Sequence, residues 1–228
     1  MNYTTLKSAI RKFLKDSILY RVVWYFRIKN QVHKGKKLVK EWERLNKPLP
    51  PPPLIKWRVV AEYGKKFSLD TLIETGTCRG DTLWFNKNNF KKIMSIELGR
   101  MFYERAKIMF SPFKHISIFS GDSSKILPEI LRKLNTRALF WLDAHYSGGS
   151  TARGELYTPI IKELECIFRH PVYGHVILID DARLFTGTDD YPTLDFLQKF
   201  VYKNCPNASI EIENDIIRIY RKHTQTKS

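Results

Sequence analysis

From residue 69 to residue 203, short β-rich runs alternate with helical segments, and this alternation limits the possible folds more than any other feature of the chain. The runs are LDTLIET (69–75), KIMSIEL (92–98), HISIFSGD (115–122), ALFWLDA (138–144) and HVILIDDA (175–182). Helical spacing fills the gaps: a helix from about Asp81, then residues 100–110, 123–134, 158–169 and 191–203. ASIEIENDIIRIYR (208–221) adds two β-rich runs around Asn214-Asp215, a dipeptide suited to a hairpin turn. Strands separated by helices build a parallel sheet covered on both faces. The expected fold class is therefore α/β, a doubly wound, mostly parallel, seven-stranded sheet with a C-terminal antiparallel hairpin.

Every one of the five runs ends in acid: Glu74, Glu97, Asp122, Asp143 and the Asp180-Asp181 pair. Burying a carboxylate costs several kcal/mol unless something pairs with it. In a parallel sheet all these ends lie along one edge, and ligands bind at that edge near the switch in strand order. The acids thus mark a ligand site rather than a core.

Three stretches give that site its shape. ETGTCRGDT (74–82) is a glycine turn opening a helix; glycine permits close backbone approach, and a helix N-terminus offers free N–H groups to an anion. Gly76 and Gly80 are equally compatible with a plain strand-to-helix turn. Glu97 follows Glu74 by 23 residues, near the ~20-residue offset at which an acid meets ribose hydroxyls. In GDSS (121–124), Asp122, Ser123 and Ser124 suit a cofactor contact or a helix cap. Together they outline an elongated site for a nucleoside-like cofactor.

With these motifs, residues 68–221 resemble the class I S-adenosylmethionine-dependent methyltransferases, whose fold is Rossmann-like. The resemblance implies that Glu74, Thr75, Gly76, Thr77 and Gly80 line the methionine part of S-adenosylmethionine. Glu97 would hold the ribose, and Asp122 with Ser123 the adenine region. FWLDAHYSGG and HVILIDDARLF are similar to the metal-dependent, macrocin-type sugar O-methyltransferases, which implies Mg²⁺ on Asp143, Asp180 and Asp181. Hard carboxylate oxygens suit that ion. His145, with a pKa near neutrality, is the expected general base beside Asp143; a packed loop histidine is the alternative. Arg183, Arg153 and Lys162 flank the edge and are candidates for an acidic acceptor group, with Tyr146 and Tyr157 as sugar-stacking residues. Trp84 suits core packing, and Cys78 a small packing role.

The formal net charge is +16, and residues 1–67 carry 17 Lys and Arg against 4 Asp and Glu, so +13 of it lies in the first third. There, residues 1–56 form a basic helical arm, with two helical stretches, and a proline-rich joint, KPLPPPPLIK (47–56); the methyltransferase domain spans 57–228. The arm has three readings: a helix pair packed on the domain or on a second subunit, peripheral contact of residues 1–45 with an anionic membrane, or nucleic-acid binding. No run approaches the ~20 apolar residues of a membrane span. The N-terminus lacks the apolar core of a secretory signal, and three widely spaced cysteines suit reduced thiols. A cytoplasmic enzyme, peripheral at the inner face of a membrane if the arm attaches there, is expected to methylate a hydroxyl of a sugar or lipid-linked polysaccharide. An RNA methyltransferase and a non-catalytic binding module of the same fold are the rivals.

Overall fold

The computed structural model describes residues 18–144 and 157–221. Seven strands form one sheet: β1 (Thr71–Thr75), β2 (Lys92–Glu97), β3 (Ile116–Ser120), β4 (Leu139–Leu142), β5 (Val176–Ile179), β6 (Ala208–Glu213) and β7 (Ile216–Arg221). Their order is β3-β2-β1-β4-β5-β7-β6. The first five run parallel, β7 pairs antiparallel with β5, and β6 closes the hairpin on β7. The expected seven-stranded sheet and hairpin are what the chain forms. Asn214 and Asp215 both have positive φ, 52° and 62°, as a tight hairpin turn requires.

Seven α-helices cover the sheet among the described residues: α1 (Ile18–Arg44), α2 (Pro53–Lys66), α3 (Asp81–Asn86), α4 (Arg100–Phe110), α5 (Ser123–Leu131), α6 (Ile160–Phe168) and α7 (Leu194–Asn204). Side chains alternate across each strand, so β4 sends Phe140 and Leu142 to one face and Leu139 and Trp141 to the other. Leu127, Leu164, Leu197 and Val201, from α5, α6 and α7, cover the first face. Val59, Val60 and Tyr63 of α2, with Leu83, Ala106 and Met109, cover the second. Both faces are dry, which is why the strands read as continuous apolar runs.

The proline run behaves differently from the expected extended joint. Pro52 keeps polyproline geometry (φ −56°, ψ 140°), but α2 starts at Pro53, inside residues 47–56. Proline is well tolerated in a first helical turn, where its missing N–H would have no partner anyway. The sequence reading contained no helix here. Upstream, the two helical stretches of the arm are one 27-residue helix as far as they are described. Val39 packs with Leu54 and Trp57, and Arg27 forms a forked ion pair with Asp81 at 3.1 and 3.3 Å. The described arm therefore packs on the domain. Val22, Val23, Tyr25 and Phe26 remain exposed on it. No described helix is long and apolar enough to cross a membrane.

At the end of the sheet opposite the acids, a histidine pair joins the α6–β5 loop to the core. Ala138 N–H donates to His175 Nδ1 at 3.1 Å, so the proton of neutral His175 must sit on Nε2. Nε2 then donates to His170 Nδ1 at 2.9 Å, and His170 Nε2 donates to the Leu131 carbonyl at 3.0 Å. Burial, with His170 alongside, lowers His175 from its ordinary 6.5 to about 4. Between those values the unfolded chain binds the extra proton, so stability is full above about pH 6.5 and is lost as pH falls towards 4. The expected loss is about 1–2 kcal/mol, after allowing for partial solvent screening. Urea midpoints at pH 7 and pH 4.5 should show it, and His175→Gln should flatten the profile; an equal acid loss in that variant would assign the effect elsewhere.

Candidate active site

Adjacent parallel strands reverse direction of travel across the sheet between β1 and β4, so the crevice opens at their carboxyl ends. Register fixes what meets there: Thr75 lies beside both Ile96 and Leu142, and Leu142 beside Ile179. The next residues of each strand are therefore brought together. Asp143 N–H donates to the Thr75 carbonyl at 3.0 Å, and Asp180 N–H to the Leu142 carbonyl at 3.0 Å.

The glycine turn is shaped by these neighbours. Gly76 has φ +87°, and a Cβ there would stand 2.5 Å from the Asp143 carbonyl oxygen. Only glycine lets the turn lie against the end of β4. Gly80 has φ +75° and faces the end of Met109 at 2.7 Å. Beneath the turn, Ser95 Oγ donates to Glu74 Oε2 at 2.6 Å and meets Thr77 Oγ1 at 2.5 Å. Glu74 is fully enclosed, and burial drives its pKa well above the ordinary value, with Asp143 and Glu97 adding repulsion.

Glu97 accepts Cys78 N–H through Oε2 and Gly99 N–H through Oε1, both at 2.6 Å. Burial raises its pKa despite these bonds. The residue thereby ties the turn to β2. Asp122 caps α5, its Oδ1 accepting from Ser124 N–H at 2.8 Å and Ser124 Oγ at 2.7 Å. Ser123 is buried behind it.

Across the crevice, ligand oxygens of Asp143, Asp180 and Asp181 all lie within 4.8 Å of one another. Asp181 adopts the left-handed conformation, φ 56°, which is unfavourable for a non-glycine residue. Its N–H donates to Asp180 Oδ1 at 2.8 Å. Burial, followed by repulsion from Asp143, holds Asp180 well above the ordinary carboxylate range. Such a set fits a hard divalent cation, because three convergent carboxylate oxygens satisfy its preference and leave positions for other oxygens.

Two cations already face this cluster. Lys56, from the first turns of α2, places Nζ 2.7 Å from Asp180 Oδ1, 2.8 Å from Asp180 Oδ2 and 2.8 Å from Asp181 Oδ1. Burial opposes its charge, but Asp180 and Asp181 outweigh that and raise its pKa. Arg183 donates to Asp181 Oδ1 at 2.7 Å and to Asp215 Oδ2. Its guanidinium joins the Asp pair to the hairpin turn.

His145, Tyr146 and Arg153 lie outside the described residues. Tyr157 N–H donates to Asp190 Oδ2, Lys162 is exposed on α6, and Trp84 packs beside Phe110 and Phe113. Three site residues escaped the sequence reading: Lys56, Asp215 as the partner of Arg183, and Glu163. Glu163 is buried and lines one pocket with Asp143, Thr158, Asp180 and Tyr191. Burial raises it to about 7, although Ser123 and Thr75 favour its charged form, and its Oε1 has no hydrogen-bond partner. No motif marks it: it is one acid in the first turn of an amphipathic helix.

No protein-family model matches the chain, and no curated protein matches it. Solved structures do match it in fold. An O-methyltransferase from Bacillus cereus in complex with SAH aligns over 94% of this chain and 97% of its own, at 11% identity and a TM-score of 0.58. A methyltransferase from Geobacter sulfurreducens aligns over 84% and 88%, at 13% identity and 0.54. SAH-bound PaMTH1 of Podospora anserina aligns over 81% and 87%, at 14% identity and 0.53. At such identities the likeness is one of fold, a Rossmann-like sheet shared with these methyltransferase structures.

Proposed function

We propose that this chain transfers a methyl group from S-adenosylmethionine to a hydroxyl of a sugar or glycan, with a divalent cation at Asp143, Asp180 and Asp181. The observation that carries the reading is the convergence of those three carboxylates within 4.8 Å beside a glycine turn, at the switch point of the parallel sheet. The similar structures from Bacillus cereus and Podospora anserina hold SAH, the demethylated product of that donor.

The bound donor supplies an electrophilic methyl, and a divalent cation supplies charge that favours a deprotonated, fixed hydroxyl. The chain's own part is placement and proton handling. Glu97 would face the ribose, while Gly76 lets the turn that would face the donor lie against the end of β4. Holding acceptor oxygen and methyl in line converts a bimolecular encounter into a single oriented step. His145, two residues beyond Asp143, is the proposed base. Glu163, at about 7, is a described group whose proton affinity also matches neutral pH.

Calorimetric titration of S-adenosylmethionine is the first test, with micromolar binding expected. Asp143→Asn should keep that binding and lose about 100-fold or more in methyl transfer to a responsive sugar. Absence of donor binding by the wild-type chain would overturn the proposal.

A further inference from the structure

Lys56 reaches the carboxylate cluster from a helix 124 residues upstream of Asp180. Its backbone is fixed, because Leu54 and Trp57 on either side are buried against α1, and Val59 and Val60 against the sheet. Only the four-carbon stem can move, and the side chain keeps 17% exposure to solvent. It touches both oxygens of Asp180 and one of Asp181.

Those two carboxylates belong to the set that would hold a metal. A Mg²⁺ ion binds oxygen at about 2.0–2.1 Å. An ion on any oxygen shared with Lys56 would therefore lie within about 5 Å of Nζ, from the sum of the two bond lengths. A dication and an ammonium that close repel strongly in a site so little hydrated. The N–H bonds also engage acceptor positions on Asp180 and Asp181 that would otherwise be open to the ion. Without either cation, three carboxylates within 4.8 Å would repel one another. Lys56 relieves that repulsion.

We propose that Lys56 and a divalent cation are alternative occupants of the Asp143–Asp180–Asp181 cluster. Lys56, alongside Arg183 on Asp181, is a built-in counter-ion of the metal-free protein, and the metal displaces Lys56 into solvent on binding. Lys56 thereby sets how tightly the site takes metal. This rests on the metal-site reading above, and the two can fail separately.

The test is Mg²⁺ calorimetry on the full chain, with Mn²⁺ electron paramagnetic resonance as a second probe. Lys56→Met keeps an apolar stem and removes the charge; it should bind either ion about 10- to 100-fold more tightly than wild type. Lys56→Arg keeps the charge and should stay within about threefold of wild type. Adding Asp181→Asn should abolish binding in each background. Equal or weaker binding by Lys56→Met, with loss in Asp181→Asn, overturns the exclusion and leaves the metal site standing. No binding by any chain that still binds S-adenosylmethionine overturns both. A measurement on the wild-type chain covers the case in which Lys56→Met fails to fold. Acetylation of Lys56 by an amine-reactive reagent, read by mass spectrometry, should rise severalfold in saturating Mg²⁺, and an unchanged rate would overturn the proposal.

Discussion

Replacing Gly76 by alanine is expected to abolish donor binding and to destabilise the protein by about 2–4 kcal/mol. Two costs combine. The residue sits at φ +87°, where an L-side chain costs roughly 1–2 kcal/mol. Its Cβ would also stand 2.5 Å from the Asp143 carbonyl oxygen and 2.9 Å from its carbon. Both are backbone atoms, so no rotamer change relieves the clash. Either the turn retreats from the crevice or the end of β4 moves, and the second course carries the Asp143 carboxylate away from Asp180 and Asp181. Gly80→Ala is the informative contrast. Its φ is comparable, but its Cβ would meet the flexible end of Met109 at 2.7 Å and the Phe110 ring at 2.9 Å, so its cost should be smaller and donor binding should survive. Urea unfolding and calorimetry on both variants decide the matter. Wild-type donor affinity in Gly76→Ala would mean that the turn does not carry the cofactor.

The contrast also indicates which parts of this protein its sequence discloses. Strand ends were legible because a buried parallel strand must be apolar throughout, and a carboxylate at its terminus stands out. Glu74, Glu97, Asp143 and Asp180-Asp181 were found in this way, and the sheet delivers them to one edge. The hairpin was legible because few dipeptides accept two positive φ values in succession. Lys56 was not legible. Nothing local distinguishes a lysine after four prolines, and its role comes from α2 docking across the sheet, a tertiary event between distant segments. Glu163 was hidden for a similar reason, since an acid in a first helical turn ordinarily serves the helix dipole in water. Here α6 turns it inwards beneath Asp143.

Asp215 presents the same problem, and its replacement is the second large effect expected. A turn residue read only for its conformation proves to be 3% exposed and fully bonded. Oδ1 accepts Arg183 N–H at 2.8 Å, Oδ2 accepts the Arg183 guanidinium, and the carbonyl accepts Ala182 N–H at 2.9 Å. Asp215→Ala leaves the Arg183 N–H without a partner, removes one of the two bonds made by Arg183 Nη1, and places alanine at φ 62°. Removing one member of a well-buried pair costs about 3–5 kcal/mol. The Arg183 side chain is 34% exposed and keeps Asp181, so about 2–3 kcal/mol is the fitting figure. Asp215→Asn should cost less, near 1 kcal/mol, because asparagine tolerates the left-handed conformation and can still accept from Arg183 N–H. The difference between the two variants isolates the backbone and conformational share from that of charge. Equal losses would place the whole effect in the ion pair, and a loss below about 0.5 kcal/mol in Asp215→Ala would show that the hairpin turn does not anchor the segment carrying Asp181 and Arg183.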